Sequence, residues 1–288
     1  MTDAAPFDRI IIVDWSAAAT PSPRKPSADA IWLGEDGCPP RYFRTRAEVM
    51  AALSRICADA LATGTRVLIG ADFPFGYPKG FAARLTGDSG ALAVWDWLGA
   101  HVVDAPDNRN NRFQLAGQIN ARFPGLGPFW GCPAGLSVPG LPHKGSLRQD
   151  HLMPERRVVE DRLRSTQPCW KLYTTGSVGS QALLGIAALN RLRQSFGPQL
   201  AVWPFQPPTA PVVLAEIYPS LLAPQVTAAL ARDPGQIKDA VQVSLLAEGF
   251  ARARASGHLA QMLRPQVPVD VLAEEGWILG AGFTDALG

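Results

Sequence analysis

The sequence contains few residues of the kinds that build soft-metal sites or disulfide frameworks. Its four cysteines lie far apart with no CxxC pair, and its four histidines show no HExxH-like spacing. Neither a zinc centre nor a disulfide framework is therefore indicated. Because free cysteine is among the most buried residue types, we expect buried reduced thiols at Cys38, Cys57, Cys132 and Cys169.

An excess of charge of one sign is also absent, as are long apolar runs. Lysine and arginine number 27 and aspartate and glutamate number 25, so the net charge of +2 gives no global attraction to nucleic acid or to membranes. No stretch approaches the roughly 18 consecutive apolar residues of a membrane helix. The N-terminal MTDAAPFDR carries an acid before any apolar run, unlike a signal peptide. We therefore predict a cytoplasmic protein without membrane association.

What the N-terminal part does contain is a regular alternation of short apolar runs and turn residues. Three runs predict strands joined by short links, at residues 9–14, 30–33 and 41–43. Apolar residues at helical spacing then predict a helix over 46–63, between the capping residue Thr45 and Gly64. Residues 66–71 predict a second buried strand. This order indicates a three-stranded meander followed by a helix and a parallel strand.

The middle of the chain, from about 79 to 170, is predicted to be an insertion. It is rich in Gly and Pro and contains two helix candidates, 91–103 and 112–121, and no convincing strand. Regular structure resumes with a helix behind Gly176, strands at 200–203 and 212–217, and a helix at 236–255. We therefore predict a single α/β domain over residues 1–288 with one large insertion before its last strand.

Four acids occupy the ends of these elements. Asp14, Asp72 and Glu216 end predicted strands, and Asp239 opens the last long helix. Taken alone, each acid is most simply interpreted as a solvated loop residue or a helix cap. If the strands are neighbours, however, the four carboxylates meet beyond the carboxyl edge of the sheet, where ligands bind in parallel α/β folds.

Clustered carboxylates raise one another's pKa and repel, so such a cluster is tolerated chiefly when a divalent cation neutralises it. Oxygen ligands favour Mg²⁺ or Mn²⁺, and two such ions can support phosphodiester hydrolysis. The hypothesis is that Asp14 bridges two metal ions, that Asp72 and Glu216 are further ligands, and that Asp239 completes the second site.

The segments IIIVDWSAA, LIGADFPFGYP, EIYPSLL and KDAVQVSLLAEGFARA, in this order, resemble an uncharacterised bacterial family of predicted ribonuclease H-like nucleases. The resemblance covers roughly residues 9–78 and 211–256. It implies a ribonuclease H-like fold, and it implies that the acids of the family's site correspond to Asp14, Asp72, Glu216 and Asp239. Some relatives with this form of the first motif are labelled molybdopterin-guanine dinucleotide synthesis proteins, so an accessory role in molybdenum cofactor synthesis stays open.

Further residues are candidates for substrate binding, beginning with Ser16 just after the first-strand acid. The Gly/Ser-rich start of the helix behind Gly176 offers backbone N–H groups and the side chains of Ser177 and Ser180 to a phosphate, with Lys171 just upstream. The alternative is a plain capped helix start. The insertion has seven basic residues and two acids between 108 and 157. Arg109 and Arg112 belong to this basic stretch, which would follow a nucleic-acid backbone or be a solvated surface.

Three functions remain open from the sequence. The leading hypothesis is a Mg²⁺- or Mn²⁺-dependent phosphodiester hydrolase acting on a nucleic acid or a nucleotide. ATP-dependent phosphotransfer is the second, because kinases of this fold have small residues after the first-strand acid, as Ser16 and Ala17 are here. A non-catalytic binding or accessory protein is the third. Metal binding separates the third from the other two.

Overall fold

The computed structural model describes residues 6–163 and 165–288. Residues 1–5, part of the segment used above to exclude a signal peptide, lie outside this part. The centre is a mixed six-stranded sheet with the order β3-β2-β1-β4-β6-β5. Its strands are β1 (Arg9–Asp14), β2 (Ile31–Glu35), β3 (Cys38–Phe43), β4 (Val67–Ala71), β5 (Leu200–Val202) and β6 (Val212–Glu216).

The first three strands form an antiparallel meander, and the others run parallel to β1. β1 pairs with β2 on one side and with β4 on the other, and β6 lies between β4 and β5. The α/β class, with helices flanking a mixed sheet, is thereby confirmed. β3 begins at Cys38 rather than near Arg41, because an edge strand tolerates Pro39 and Pro40, which have no N–H to donate.

Helices cover both faces of the sheet, and in the part of the chain described none is long and apolar enough to cross a membrane. The predicted long helices are present, with Thr45 and Glu48 forming a capping box at the first of them. The helices are α1 (Arg46–Thr63), α2 (Phe81–Thr86), α3 (Ala91–His101), α4 (Arg112–Asn120), α5 (Val158–Arg162), α6 (Val178–Phe196), α7 (Ala223–Arg232), α8 (Lys238–Ala255), α9 (His258–Met262), α10 (Val269–Glu274) and α11 (Thr284–Leu287).

Alternation along β1 places a hydrophobic core on each face of the sheet. Ile11 and Val13 pack into the core that includes residues of α1, α3 and α6. Ile10 and Ile12 pack into the opposite core, which includes residues of α8. Because side chains of a strand point to alternate faces, a continuous apolar run is what a strand covered on both sides requires.

The insertion is built onto the first of these cores. Its aromatic residues Trp95, Phe129 and Trp170 are buried in the same cluster as Ile11 of the sheet. Between residues 79 and 170, the described residues form helices and isolated bridges but no strand, in agreement with the sequence pattern.

Glu275 connects the start of the insertion to the start of α5 within it. Its Oε1 accepts a hydrogen bond from the N–H of Lys79 at 3.0 Å, and its Oε2 accepts one from the N–H of Val158 at 2.7 Å. The neighbouring Glu274 accepts hydrogen bonds from the N–H groups of Gly80 and Ala82 at the start of α2. The segment after α10 is joined to the sheet by an isolated parallel β-bridge between Ile278 and Glu216 at the end of β6. The sequence pattern gave no indication of these contacts.

The four cysteines are free thiols. Cys57, Cys132 and Cys169 are buried, as expected from their residue type, whereas Cys38 is exposed. Cys38 begins the edge strand β3, which has β2 on one side only. The expectation of burial was therefore wrong for this residue.

Candidate acidic site at the sheet edge

Asp14 and Asp72 lie side by side where two neighbouring parallel strands end. β1 and β4 are paired up to Val13 and Ala71, so the residues that follow emerge together at the carboxyl edge of the sheet. Their carboxyl groups are close enough for each to shift the pKa of the other. The backbone N–H of Trp15 also donates to Oδ1 of Asp72 at 2.7 Å. We call Asp14 and Asp72 the acid pair.

The acid pair binds protons more tightly than ordinary carboxylates do. Burial is the largest cause of the raised pKa of Asp14, and the negative charges of Asp72 and Asp239 raise it further. Burial also raises the pKa of Asp72 to about 7, although the N–H of Trp15 lowers it in part. Both carboxyl groups therefore keep their protons to a higher pH than a solvated aspartate does.

Asp239 approaches the acid pair from the first turn of α8. Its Oδ2 accepts a hydrogen bond from the N–H of Asp29 at 2.7 Å, and its charge contributes to the raised pKa of Asp14. Burial raises the pKa of Asp239 itself, while the N–H of Asp29 lowers it. Three of the four acids singled out in the sequence therefore interact at one end of the sheet.

The loop after β1 holds this arrangement in place. The hydroxyl of Ser16 donates to the carbonyl of Asp29 at 3.1 Å and accepts a hydrogen bond from the N–H of Ala18 at 3.3 Å. Asp29 has a φ of 56°, a left-handed conformation that Asp adopts more readily than most residues. Ser16, a substrate-binding candidate in the sequence, thus positions Asp29 and, through it, Asp239.

Glu216 ends β6 at the same edge, but its carboxylate is bound by an arginine of the insertion. Arg157 donates from Nη1 to Oε2 at 2.8 Å and from Nη2 to Oε1 at 2.6 Å, and the N–H of Phe75 donates to Oε2 at 2.9 Å. The two side chains are only 1% and 3% exposed. Glu216 therefore has a protein cation where the sequence hypothesis gives it a metal ion.

Arg157 has further partners in the same buried region. Its Nε donates to Oε1 of Glu160 at 2.9 Å, and its Nη1 also donates to the carbonyl of Glu275 at 3.0 Å. Burial alone lowers the pKa of Arg157, but the charges of Glu216 and Glu160 outweigh it, so that the pKa lies well above its ordinary value. We call Arg157, Glu160 and Glu216 the buried ion cluster.

A pocket of about 230 Å³ is lined by both the acid pair and the buried ion cluster. Other parts of its wall come from α6, α8, the segment after β6 and the insertion. They include Gln167, Val178, Gln181, Tyr218, Gln242 and Ile278. Gln181 also donates from Nε2 to the carbonyl of Trp15, and so connects α6 to the loop beside the acid pair.

The residues of the Gly/Ser-rich segment that line this pocket are not the ones that the sequence predicted. Lys171, Ser177 and Ser180 are outside the described pocket lining, whereas Val178 and Gln181 belong to it. The ammonium group of Lys171 donates to the carbonyl of Thr175 at 2.6 Å, and the buried hydroxyl of Ser180 donates to that of Leu172 at 2.6 Å. Both side chains thus stabilise the chain before α6.

Arg109 and Arg112 also lie outside the described lining of the pocket. Arg109 is exposed and forms an ion pair with Asp107 at 2.7 Å. Arg112 donates to Asn110 at 2.8 Å and lies 4.3 Å above the ring of Phe113. Burial, followed by the charge of Arg46, lowers the pKa of Arg112 to about 10. These contacts place both arginines in the local structure of the insertion.

Sequence reasoning did not identify Arg157, Gln181 or Gln242 as site residues. Gln242 lies three residues after Asp239, so helical spacing puts both on one side of α8, a signal that was available. Gln181 follows Ser177 by four residues, with the same consequence for α6. Arg157 had no such signal, because its partner Glu216 is 59 residues away.

Within residues 6–163 and 165–288, no three Asp, Glu, His or Cys side chains form a ready-made metal site. The acid pair supplies two oxygen-donor groups, and Asp239 is the third nearby acid. Glu216 is occupied by Arg157. A metal ion at this edge is therefore a matter for proposal and test.

The acid pair leads to a prediction about pH. A carboxyl group whose pKa is higher in the folded than in the unfolded protein stabilises the fold below the unfolded pKa of about 4, and this contribution is lost as the pH rises through the folded pKa. The Asp14→Asn variant removes one of the two charges. In metal-free buffer we expect it to exceed the parent in unfolding free energy by about 1–3 kcal/mol near pH 8 and by less near pH 5.

Urea unfolding at the two pH values measures this difference. The matched control is Asp59→Asn, since Asp59 is exposed on α1 and its substitution removes a charge outside the site. A difference between parent and Asp14→Asn that does not depend on pH would contradict the raised pKa values of the acid pair.

Relatives of known function would be an independent guide to the chemistry of this edge. Comparison of the chain with models of protein families, with curated proteins and with solved structures gives no match. The functional assignment therefore depends on the geometry, burial and charge of the site itself.

Proposed function

We propose that the protein is a divalent-metal-dependent phosphodiester hydrolase of ribonuclease H-like fold, with Mg²⁺ or Mn²⁺ held by Asp14 and Asp72. The observation that carries the proposal is the close approach of these two half-buried carboxyl groups beside a pocket. Two such groups repel when both are ionised, so the arrangement is unfavourable for a purely structural role. A nucleic acid or a nucleotide is the proposed substrate, and the cytoplasm the proposed location.

The donor set fits a hard divalent cation. Carboxylate oxygens are the ligands preferred by Mg²⁺ and Mn²⁺. Within the described residues neither Asp14 nor Asp72 forms an ion pair with Lys or Arg, so no described basic side chain neutralises the negative charge of the pair. When bound, such a cation lowers the pKa of water and stabilises charge on a phosphate.

The residues around the acid pair orient its carboxylates. The N–H of Trp15 fixes one oxygen of Asp72, and Gln181 holds the carbonyl of Trp15 in turn. The N–H of Asp29 fixes one oxygen of Asp239. In this proposal Asp14, Asp72 and Asp239 face the cation, and Glu216 supports the pocket through Arg157.

The sheet order is compatible with the proposed fold. An antiparallel meander of β1–β3 is followed by β4 and β6 parallel to β1, and the acids follow β1 and β4. The additional short strand β5 lies at the outer edge of the sheet, beyond β6, and leaves the neighbours of the acid pair unchanged.

Phosphotransfer from ATP has less support at this site. A triphosphate needs cationic groups in addition to the metal ion. The described lining of the pocket includes one cation, Arg157, and both of its terminal nitrogens and its Nε are engaged by Glu216, Glu160 and the carbonyl of Glu275.

Thermal unfolding with and without Mn²⁺ tests the proposal. We expect Mn²⁺ to raise the melting temperature of the parent, because a ligand at 100 times its Kd stabilises the folded state by about 2.7 kcal/mol. Asp14→Asn is expected to lose most of this rise, whereas the control Asp59→Asn keeps it. A rise that persists fully in Asp14→Asn would place the metal elsewhere and refute the proposal.

A further inference from the structure

We infer that the pocket beside the acid pair receives one unpaired nucleobase, which makes single-stranded nucleic acid or a mononucleotide ester the substrate. This inference rests on the proposed function and adds the substrate class to it. Four features of the pocket support it: its charge, its unused hydrogen-bonding groups, its aromatic and apolar wall, and its size.

The charge of the pocket disfavours a phosphate inside it. Arg157 is neutralised by Glu216 and Glu160, and its N–H groups point to these carboxylates and to the carbonyl of Glu275. The acid pair adds further negative potential at the same wall. The described residues of the lining would therefore repel an anion from the pocket, while they would not repel an uncharged polar group.

The unused hydrogen-bonding groups are side-chain amides. In the part of the chain described, the amides of the half-buried Gln242 and of the exposed Gln167 at the pocket rim make no hydrogen bond to protein, and Gln181 uses its Nε2 on Trp15 and keeps its Oε1. A primary amide offers two donors and one acceptor oxygen. Paired donors and acceptors are what the edge of a nucleobase presents, and Asn and Gln side chains bind such edges through both groups.

The wall between these amides is suited to a flat ring. The half-buried Tyr218 follows β6 and lines the pocket together with the apolar side chains of Val178, Ile217 and Ile278. Proteins that bind single strands stack unpaired bases on aromatic side chains, with ~1–3 kcal/mol per base. Tyr218 is the aromatic platform in this inference.

The volume limits what can enter. About 230 Å³ lies below the ~300–1,000 Å³ of pockets for drug-sized ligands, so one nucleoside-sized group fits and a base pair does not. The acid pair forms part of the same wall, so the phosphate attached to a bound nucleoside lies at the proposed metal. A base in a duplex would first have to leave its stack, which costs a few kcal/mol.

Binding of uncharged nucleosides to the metal-free protein tests the inference apart from the metal. The probes are adenosine, guanosine, cytidine and uridine, titrated at millimolar concentration and followed by ligand-observed NMR. We expect at least one to bind, and Gln242→Leu and Gln167→Leu each to weaken it by about 5- to 30-fold, the effect of one lost hydrogen bond to a neutral ligand. The control Gln261→Leu, on α9 and outside the pocket lining, should bind like the parent.

A second arm distinguishes the two sources of the base. With Mn²⁺, a mononucleotide ester, a single-stranded oligonucleotide and its duplex are compared as substrates, and the duplex is expected to be hydrolysed slowest. Failure of all four nucleosides to bind, equal binding by the parent and both Gln variants, or faster hydrolysis of the duplex would each overturn the inference. If nucleosides bind but Mn²⁺ gives no stabilisation that depends on Asp14, the proposal of a metal-dependent hydrolase is refuted. The inference of a nucleobase pocket is supported in that case.

Discussion

Asp14→Asn is expected to lower the rate of metal-dependent phosphodiester hydrolysis by about two to four orders of magnitude, equivalent to ~3–5 kcal/mol of transition-state stabilisation. Asn has nearly the same shape as Asp but lacks the negative charge that balances a cation. Asp14 also contacts Asp72, so the loss of charge affects the whole acid pair. The measurement is the initial rate on a single-stranded oligonucleotide in saturating Mg²⁺.

The fold itself should tolerate this substitution. Because Asn relieves repulsion within the acid pair, the metal-free variant is expected to be at least as stable as the parent. Asp59→Asn again serves as the control and should retain full activity. If Asp14→Asn kept its activity and instead lost about 1 kcal/mol of stability, Asp14 would be a capping residue of the loop rather than a metal ligand.

Arg157→Met is expected to lower the free energy of unfolding by about 3–5 kcal/mol, because it leaves two buried carboxylates without their cation. Glu216 and Glu160 are each about as buried as Arg157 and receive its N–H groups. Met replaces the aliphatic stem of Arg157 without the charged guanidinium group, so the packing along the stem is kept. Urea unfolding at neutral pH measures the difference.

Two comparison variants separate charge from general disruption. Arg109→Ala removes an exposed ion pair with Asp107 and should leave the free energy of unfolding close to that of the parent. The triple variant Arg157→Met, Glu160→Gln, Glu216→Gln removes all three charges and should recover part of the stability lost in Arg157→Met. An Arg157→Met protein as stable as the parent would show that Glu216 does not depend on this arginine.

The sequence was sufficient to predict the acid pair because its geometry follows from local rules. Parallel strands end at one edge, and the register of β1 against β4 brings Asp14 and Asp72 together. The long helices were predictable for the same reason, since apolar periodicity and caps are local. The start of α8, where Asp239 lies, was predictable from the same local signals.

The surroundings of Glu216 were not predictable, because they depend on contacts between distant segments. The sequence shows an acid at the end of a strand, but it does not show that Arg157 will be folded against it. The same holds for the basic residues of the insertion. Their number predicted a positive surface, whereas Arg112 is held by Asn110 and Phe113, and Arg148 by Glu155.

The position of Glu275 has a consequence for the order in which a newly synthesised chain can acquire its site. Asp14, Asp72 and Arg157 are all translated well before Glu275, which binds the start of the insertion and the start of α5 and accepts a hydrogen bond from Arg157. The pocket wall is also incomplete until Ile278 reaches Glu216. A nascent chain whose segment with Glu275 and Ile278 is still inside the ribosome has its acids but lacks a closed pocket. Substrate binding is therefore possible only after this segment has left the ribosome.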